Sequence, residues 1–103
     1  MHLDEYQQYD AMGLAELIRR REVSREEVLE AALTAIEKLN PSLNALVRTR
    51  YERARQESQK LPTDTLFGGV PTLSKDLLMG LAGEPLAFGS ASLSQWCPRK
   101  MRY

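Results

Sequence analysis

Apolar residues recur at helical spacing in two early segments of the chain and then give way to short runs broken by glycine and proline. In the first segment Leu14, Leu17 and Ile18 form a narrow stripe at the i, i+3, i+4 spacing, and Asp10 stands where an N-cap is needed. Arg19, Arg20 and Arg21 fall in its last turn, where cations complement the helix dipole, so the run reads as a solvated helix end rather than a binding patch. The second segment has stronger punctuation. Ser24 and Glu27 have the spacing of a capping box, and Val23 and Val28 that of a hydrophobic staple. Val28, Ala32, Ala35, Ile36 and Leu39 then line one face, with small alanines suited to close packing. Asn40-Pro41 is expected to end the helix, because proline cannot continue the hydrogen-bond ladder.

Beyond that point the pattern shortens. Leu43–Val47 predicts a short strand, and the polar stretch Tyr51–Lys60 an exposed helix whose apolar side is Tyr51, Ala54 and Leu61. Pro62-Thr63-Asp64 breaks it, and Val70–Ser74 predicts a buried strand. Gly80, Gly83, Pro85 and Gly89 then make a loop leading to Gly89-Ser90. The order helix, helix, strand, helix, strand points to the α/β class. Two or three short strands cannot form the sheet that such a class needs, so the chain is expected to be one incomplete domain over residues 1–103. Within it, residues 10–40 form a helical pair and residues 66–93 a strand and glycine-rich loop.

Composition narrows the partners. Lysine and arginine balance aspartate and glutamate at 14 each, which leaves no electrostatic footprint for nucleic acid or an anionic membrane. No run is long enough to span a bilayer, and the polar, acidic N-terminus does not read as a targeting signal. Cys97 is the single cysteine, so neither an internal disulfide nor a cysteine-based metal site is available. A cytoplasmic location is the expectation. The closing Trp96, Arg99, Lys100, Arg102 and Tyr103 are too short and mixed a cluster to indicate nucleic acid.

The candidate chemistry lies in "GGVPTLSKD", Gly68 to Asp76. Lys75 follows an apolar run and lies between two glycine-rich loops; on an alternating strand it and Asp76 point to opposite faces. A lysine enclosed away from water loses hydration of its charged form, and its pKa falls from about 10.4 toward the range of a useful general base. Spacing alone does not establish that burial, and by itself it favours a lysine that simply emerges at a strand end.

The segment Gly69–Asp76, followed by the "GLAGEPLAFGS" of Gly80 to Ser90, resembles the start of the amidase signature family. The upstream "DAMGLAELIRRREVSREEVLEAALTAIEKLNPSLNAL", Asp10 to Leu46, is similar to that family's N-terminal region in order and spacing. The resemblance implies a layered α/β/α fold, of which this chain would be the helix-rich N-terminal part. It implies hydrolysis or transfer at small-molecule carboxylic amides without a cofactor. It also implies a Ser–cis-Ser–Lys triad in which Lys75 matches the lysine and Asp76 an acidic neighbour that orients the site. Ser74 falls at a variable position and is not a candidate nucleophile.

The match departs from the family in two places. No "GGSSGG"-like segment, which would supply both triad serines and the oxyanion-hole backbone, occurs in the 103 residues. The closing "SQWCPRKMRY" also runs into basic residues where the family continues toward acidic ones. The expectation is therefore a truncated amidase, inactive alone, with apolar faces left open to self-association. The other readings are the amidase-like subunit of a transfer-RNA-dependent amidotransferase and a non-catalytic helical interaction module.

Overall fold

The computed structural model describes residues 1–62 and 65–74. The chain divides into two compact units, Met1–Pro71 and Thr72–Tyr103. Of the second unit only Thr72, Leu73 and Ser74 are described, and all three are exposed.

The first unit is built from helices α1 (Leu3–Tyr6), α2 (Ala11–Arg19), α3 (Arg25–Leu43) and α4 (Tyr51–Lys60). The caps read from the sequence form as expected. Gly13 N–H donates to the Asp10 carboxylate at 2.7 Å, which closes the start of α2. Glu27 N–H donates to Ser24 Oγ at 3.1 Å, and Ser24 N–H to Glu27 Oε1 at 3.4 Å, completing the capping box of α3. Val23 packs against the cluster that contains Val28, as a staple should. The arginine run is a solvated end: Arg19 and Arg20 are exposed and both pair with Glu16, at 2.6 and 2.9 Å.

Helix α2 ends in a way the arginine run conceals. Arg21 adopts φ +59°. Its N–H donates to the Ile18 carbonyl at 3.1 Å, and Glu22 N–H to the Leu17 carbonyl at 3.0 Å. This is a Schellman turn with arginine where glycine is usual. The turn reverses the chain so that Leu14 and Ile18 of α2 meet Val28 of α3 in one core cluster, with Met1, Tyr6, Val23 and Val70 packed around it. Helix α3 is the centre of the unit, touching α1 and α4. In its first half Val28, Leu29, Ala31, Ala32 and Leu33 are all buried, because neighbours cover it on more than one side.

The expected α/β architecture does not hold for the described residues, which contain four helices and no strand. Neither short run becomes a strand, because a strand needs a partner edge for its backbone groups and none is present among the described residues. Leu43 is the last residue of α3, and Asn44 ends that helix in the left-handed region at φ +49°. The backbone of Leu46 pairs with a side chain instead. Its N–H donates to Asn40 Oδ1 at 2.8 Å, and its carbonyl accepts from Asn40 Nδ2 at 3.0 Å. The expected strand Val70–Ser74 is likewise absent. Val70 N–H closes a turn to the Phe67 carbonyl at 3.1 Å, and Val70 is half-buried on the core cluster while Leu73 is exposed.

Two further differences have local causes. Helix α3 continues through Pro41 to Leu43 rather than ending at Asn40. Proline there removes only the donor that would have reached the Glu37 carbonyl, and Asn44 N–H still donates to the Asn40 carbonyl at 2.7 Å. On α4 the inward side is Tyr51, Ala54 and Ser58, with Leu61 exposed.

Candidate functional site

Lys75 and Asp76 lie outside the described residues, as do the Gly80–Ser90 loop and the closing basic cluster. What the structure describes is the approach to the lysine motif, Thr65 to Ser74, and the helices that hold it.

The approach begins with a turn in which Gly68 N–H donates to the Thr65 carbonyl at 3.2 Å. Gly69 follows at φ +87°, a conformation that glycine adopts without the steric cost a Cβ would bring. The next residue, Val70, drops onto the cluster of Leu14, Ile18 and Val28, and Pro71 is half-buried beside it. Proline restricts the backbone of the residue before it, so Val70 enters the core from a stiffened segment. The "GGVP" of the sequence is thus a hook: two glycines make the turn, valine anchors it and proline stiffens its exit.

Arg25, the first residue of α3, lies over this hook. A Cβ on Gly69 would come within 2.8 Å of Arg25 Cδ and 3.3 Å of its Cβ, and closer still to its Cγ. The guanidinium reaches past the glycine, and Arg25 Nη1 donates to the Leu61 carbonyl at the end of α4. One side chain therefore touches both ends of the segment that joins α4 to the hook. Sequence reasoning did not single out Arg25, although a signal was present. A cation in the first turn of a helix opposes the macrodipole, so a tertiary contact has to justify it.

An ion pair joins α3 to α4, and others lie within single helices and their caps. Arg55 of α4 donates to Glu30 of α3 through Nε at 2.7 Å and Nη2 at 3.3 Å. That hydrogen bond is the main cause holding the Glu30 carboxyl below its ordinary value and raising Arg55. Arg50, at the N-cap of α4, grips Glu57 two-handedly at 2.7 and 3.2 Å. The Glu57 carboxyl is lowered chiefly by that hydrogen bond. Glu16 is lowered first by its hydrogen bond to Arg19.

The grooves among the described residues include two that border α3. One, of about 300 Å³, lies at the α2–α3 junction between Ile18, Val23, Arg21, Arg25 and Glu26. The other, of about 390 Å³, runs between Ile36, Asn40, Pro41 and Tyr51. The hydroxyl of Ser24, on the first groove, is committed to the helix cap as an acceptor. No cluster of three or more histidine, cysteine, aspartate or glutamate residues that could hold a metal occurs among the described residues. No helix among them is long and apolar enough to cross a membrane.

No family model matches the chain, and no solved structure matches it. Curated proteins do. A Mycobacterium leprae protein named as an amidase, AmiC, is 42% identical over 90 residues, 87% of this chain and 18% of that protein. The 6-aminohexanoate-cyclic-dimer hydrolase of Paenarthrobacter ureafaciens is 41% identical over 75 residues, 73% of this chain and 15% of the enzyme. A lipoamidase of Enterococcus faecalis is 41% identical over 81 residues, 78% of this chain and 11% of that protein. The chain thus spans less than a fifth of the length of each of these relatives. A matched stretch of 90 residues in a chain of 103 includes Lys75 and Asp76 wherever it begins.

Proposed function

The chain belongs to the amidase signature family, and on that premise we propose that it supplies the lysine of an amide-cleaving Ser–cis-Ser–Lys site. Lys75 is the base. In its neutral form it takes a proton from the bridging serine, which in turn takes one from the nucleophilic serine as that oxygen attacks the amide carbonyl. The carbon–nitrogen bond breaks, the relayed proton leaves with the amine, and water releases the acyl group by the reverse relay. Asp76 orients the lysine end of this relay.

The observation that carries the reading is the roughly 40% identity, across a stretch that includes Lys75, to proteins named for amide hydrolysis. These 103 residues contain the base but no glycine-serine-rich segment that would supply the nucleophile and the oxyanion donors. Without those groups most of the rate enhancement is missing. The chain alone is therefore expected to turn over simple aliphatic and aromatic amides at background rates, indistinguishable from Lys75→Ala.

The positive test grafts the chain onto the remainder of the Paenarthrobacter ureafaciens hydrolase, in place of the matched segment. The graft is expected to hydrolyse the cyclic dimer that its parent is named for. Lys75→Ala in the graft should lower kcat by roughly 10³-fold or more, the scale of a lost general base. A folded, active graft indifferent to Lys75→Ala would sink the proposal, and lysine-dependent turnover by the 103 residues alone would overturn the expectation that they are inactive.

A further inference from the structure

One line of apolar residues runs along α3 and loses its cover halfway. Val28, Ala32, Ala35, Leu39 and Leu43 follow one another at spacings of three and four, so they lie along one side of the helix. Val28 is 0% exposed and Ala32 7%, Ala35 is half-buried, and Leu39 and Leu43 are 42% and 67% exposed. The stripe is continuous in sequence, but its neighbours cover only the first half.

Helix length is the cause. Helix α2, whose Leu14 and Ile18 meet Val28, has nine residues and spans about 14 Å, whereas α3 has 19 and spans about 28 Å. Helix α1 has only four residues. Helix α4 cannot take their place, because Arg55 pairs it with Glu30, on the opposite side of α3 from Val28. Leu39 and Leu43 are thus the bare continuation of a packed interface. The exposed Lys38 and Ser42 border them with polar groups.

The geometry points to the second half of α3, Ala35 to Leu43, as the docking surface for the part of an amidase domain that lies outside this chain. The inference rests on membership of the family, not on the role of Lys75. Area selects this occupant over a second copy. A stable dimer buries about 800 Å² on each partner, roughly 20–30 residues. Two leucines, an alanine and their polar border fall far short of that. An element of the same folded domain needs much less, because it is already tethered and loses little freedom on docking. The chain spans less than a fifth of each relative, so most of the family's domain is left to supply it. The occupant is an apolar surface about 12 Å long, the span of Ala35 to Leu43, with no unpaired charge opposite the leucines.

The test compares one substitution in two settings, the 103-residue chain and the chain grafted into the Paenarthrobacter ureafaciens hydrolase. Leu39→Ala with Leu43→Ala keeps the helix, since alanine is its best former. In the chain alone both leucines are exposed, so the melting midpoint should stay within about 3 °C. That chain should also sediment as a monomer. In the graft the leucines become buried, and the midpoint should fall by about 5 °C or more. Oxidative footprinting of Leu39 and Leu43 should drop there to the level of the buried Leu29 and Leu33.

Leucines that stay open to footprinting in an active graft overturn the docking. So does a graft whose folded yield and midpoint are the same with alanine as with leucine. A dimer of the 103 residues that the double substitution dissociates assigns the stripe to a second copy instead. An equal loss of stability in the chain alone means that its own residues already cover the stripe, which refutes the proposal too. The base is read by kcat and the docking by burial and stability, so Lys75→Ala can prove harmless while the docking holds.

Discussion

Arg21 and Ser58 are the residues at which the described structure is least well matched to its own backbone and packing. Arg21 holds φ +59° at the end of α2, where a side chain costs about 1–2 kcal/mol that glycine avoids. Arg21→Gly should therefore raise stability by about 1 kcal/mol, measured by urea unfolding, with no loss of helical signal. Ser58 is buried on the inward side of α4, and its hydroxyl has no hydrogen-bond partner among the described residues. An unsatisfied buried hydroxyl is a net cost, so Ser58→Ala should be neutral or stabilising by up to about 1 kcal/mol. A destabilised Ser58→Ala protein would show that the hydroxyl has a partner in solution, such as a bound water. Of these two positions the arginine was legible as a helix-end residue, but not as a left-handed one. Nothing in its neighbours says that the chain must reverse there.

At the scale of elements, α3 and α4 meet through a small inward side of α4 and an exposed ion pair. The inward side of α4 is Tyr51, Ala54 and Ser58, a modest payload, and the Glu30–Arg55 pair spans the two helices from exposed positions. Glu16, Glu30 and Glu57 all have carboxyls lowered from an ordinary value of 4.5, in each case first by a hydrogen bond to an arginine. A carboxyl whose pKa is lower in the folded state stabilises that state above its unfolded pKa. The contribution is lost as the pH falls through the folded value. Melting temperature should thus hold steady from about pH 7 to 5 as far as these groups act, then fall below about pH 4.5. Glu30→Gln should flatten part of that acid limb and weaken the salt sensitivity of the melt. An acid limb identical in Glu30→Gln would mean that the α3–α4 pair contributes nothing, a common result for exposed ion pairs. Pairs such as Glu16 with Arg19 and Arg20 are readable from spacing along one helix. Glu30 with Arg55 is not, because it depends on how two helices cross.

For the molecule as a whole, Met1–Pro71 has its own core and its own caps. Residues 1–71 expressed alone should show helical circular dichroism and melt in one transition, at a modest midpoint given so small a core. Loss of cooperativity on removing the rest would show that the first unit depends on it. What the sequence by itself determined were the features whose physics is local. These are the caps at Asp10 and Ser24, the staple of Val23 and Val28, the exposed arginine end of α2, and the resemblance to the amidase signature family. Only the tertiary structure decided the rest. Leu43–Val47 and Val70–Ser74 have strand-like composition, but a strand exists only through a partner's backbone, and here Asn40 and a tight turn satisfy those groups instead. The burial of α3 beyond its predicted stripe, and the contacts of Arg25 with residues far along the chain, likewise depend on which elements become neighbours. Spacing within one element cannot encode that.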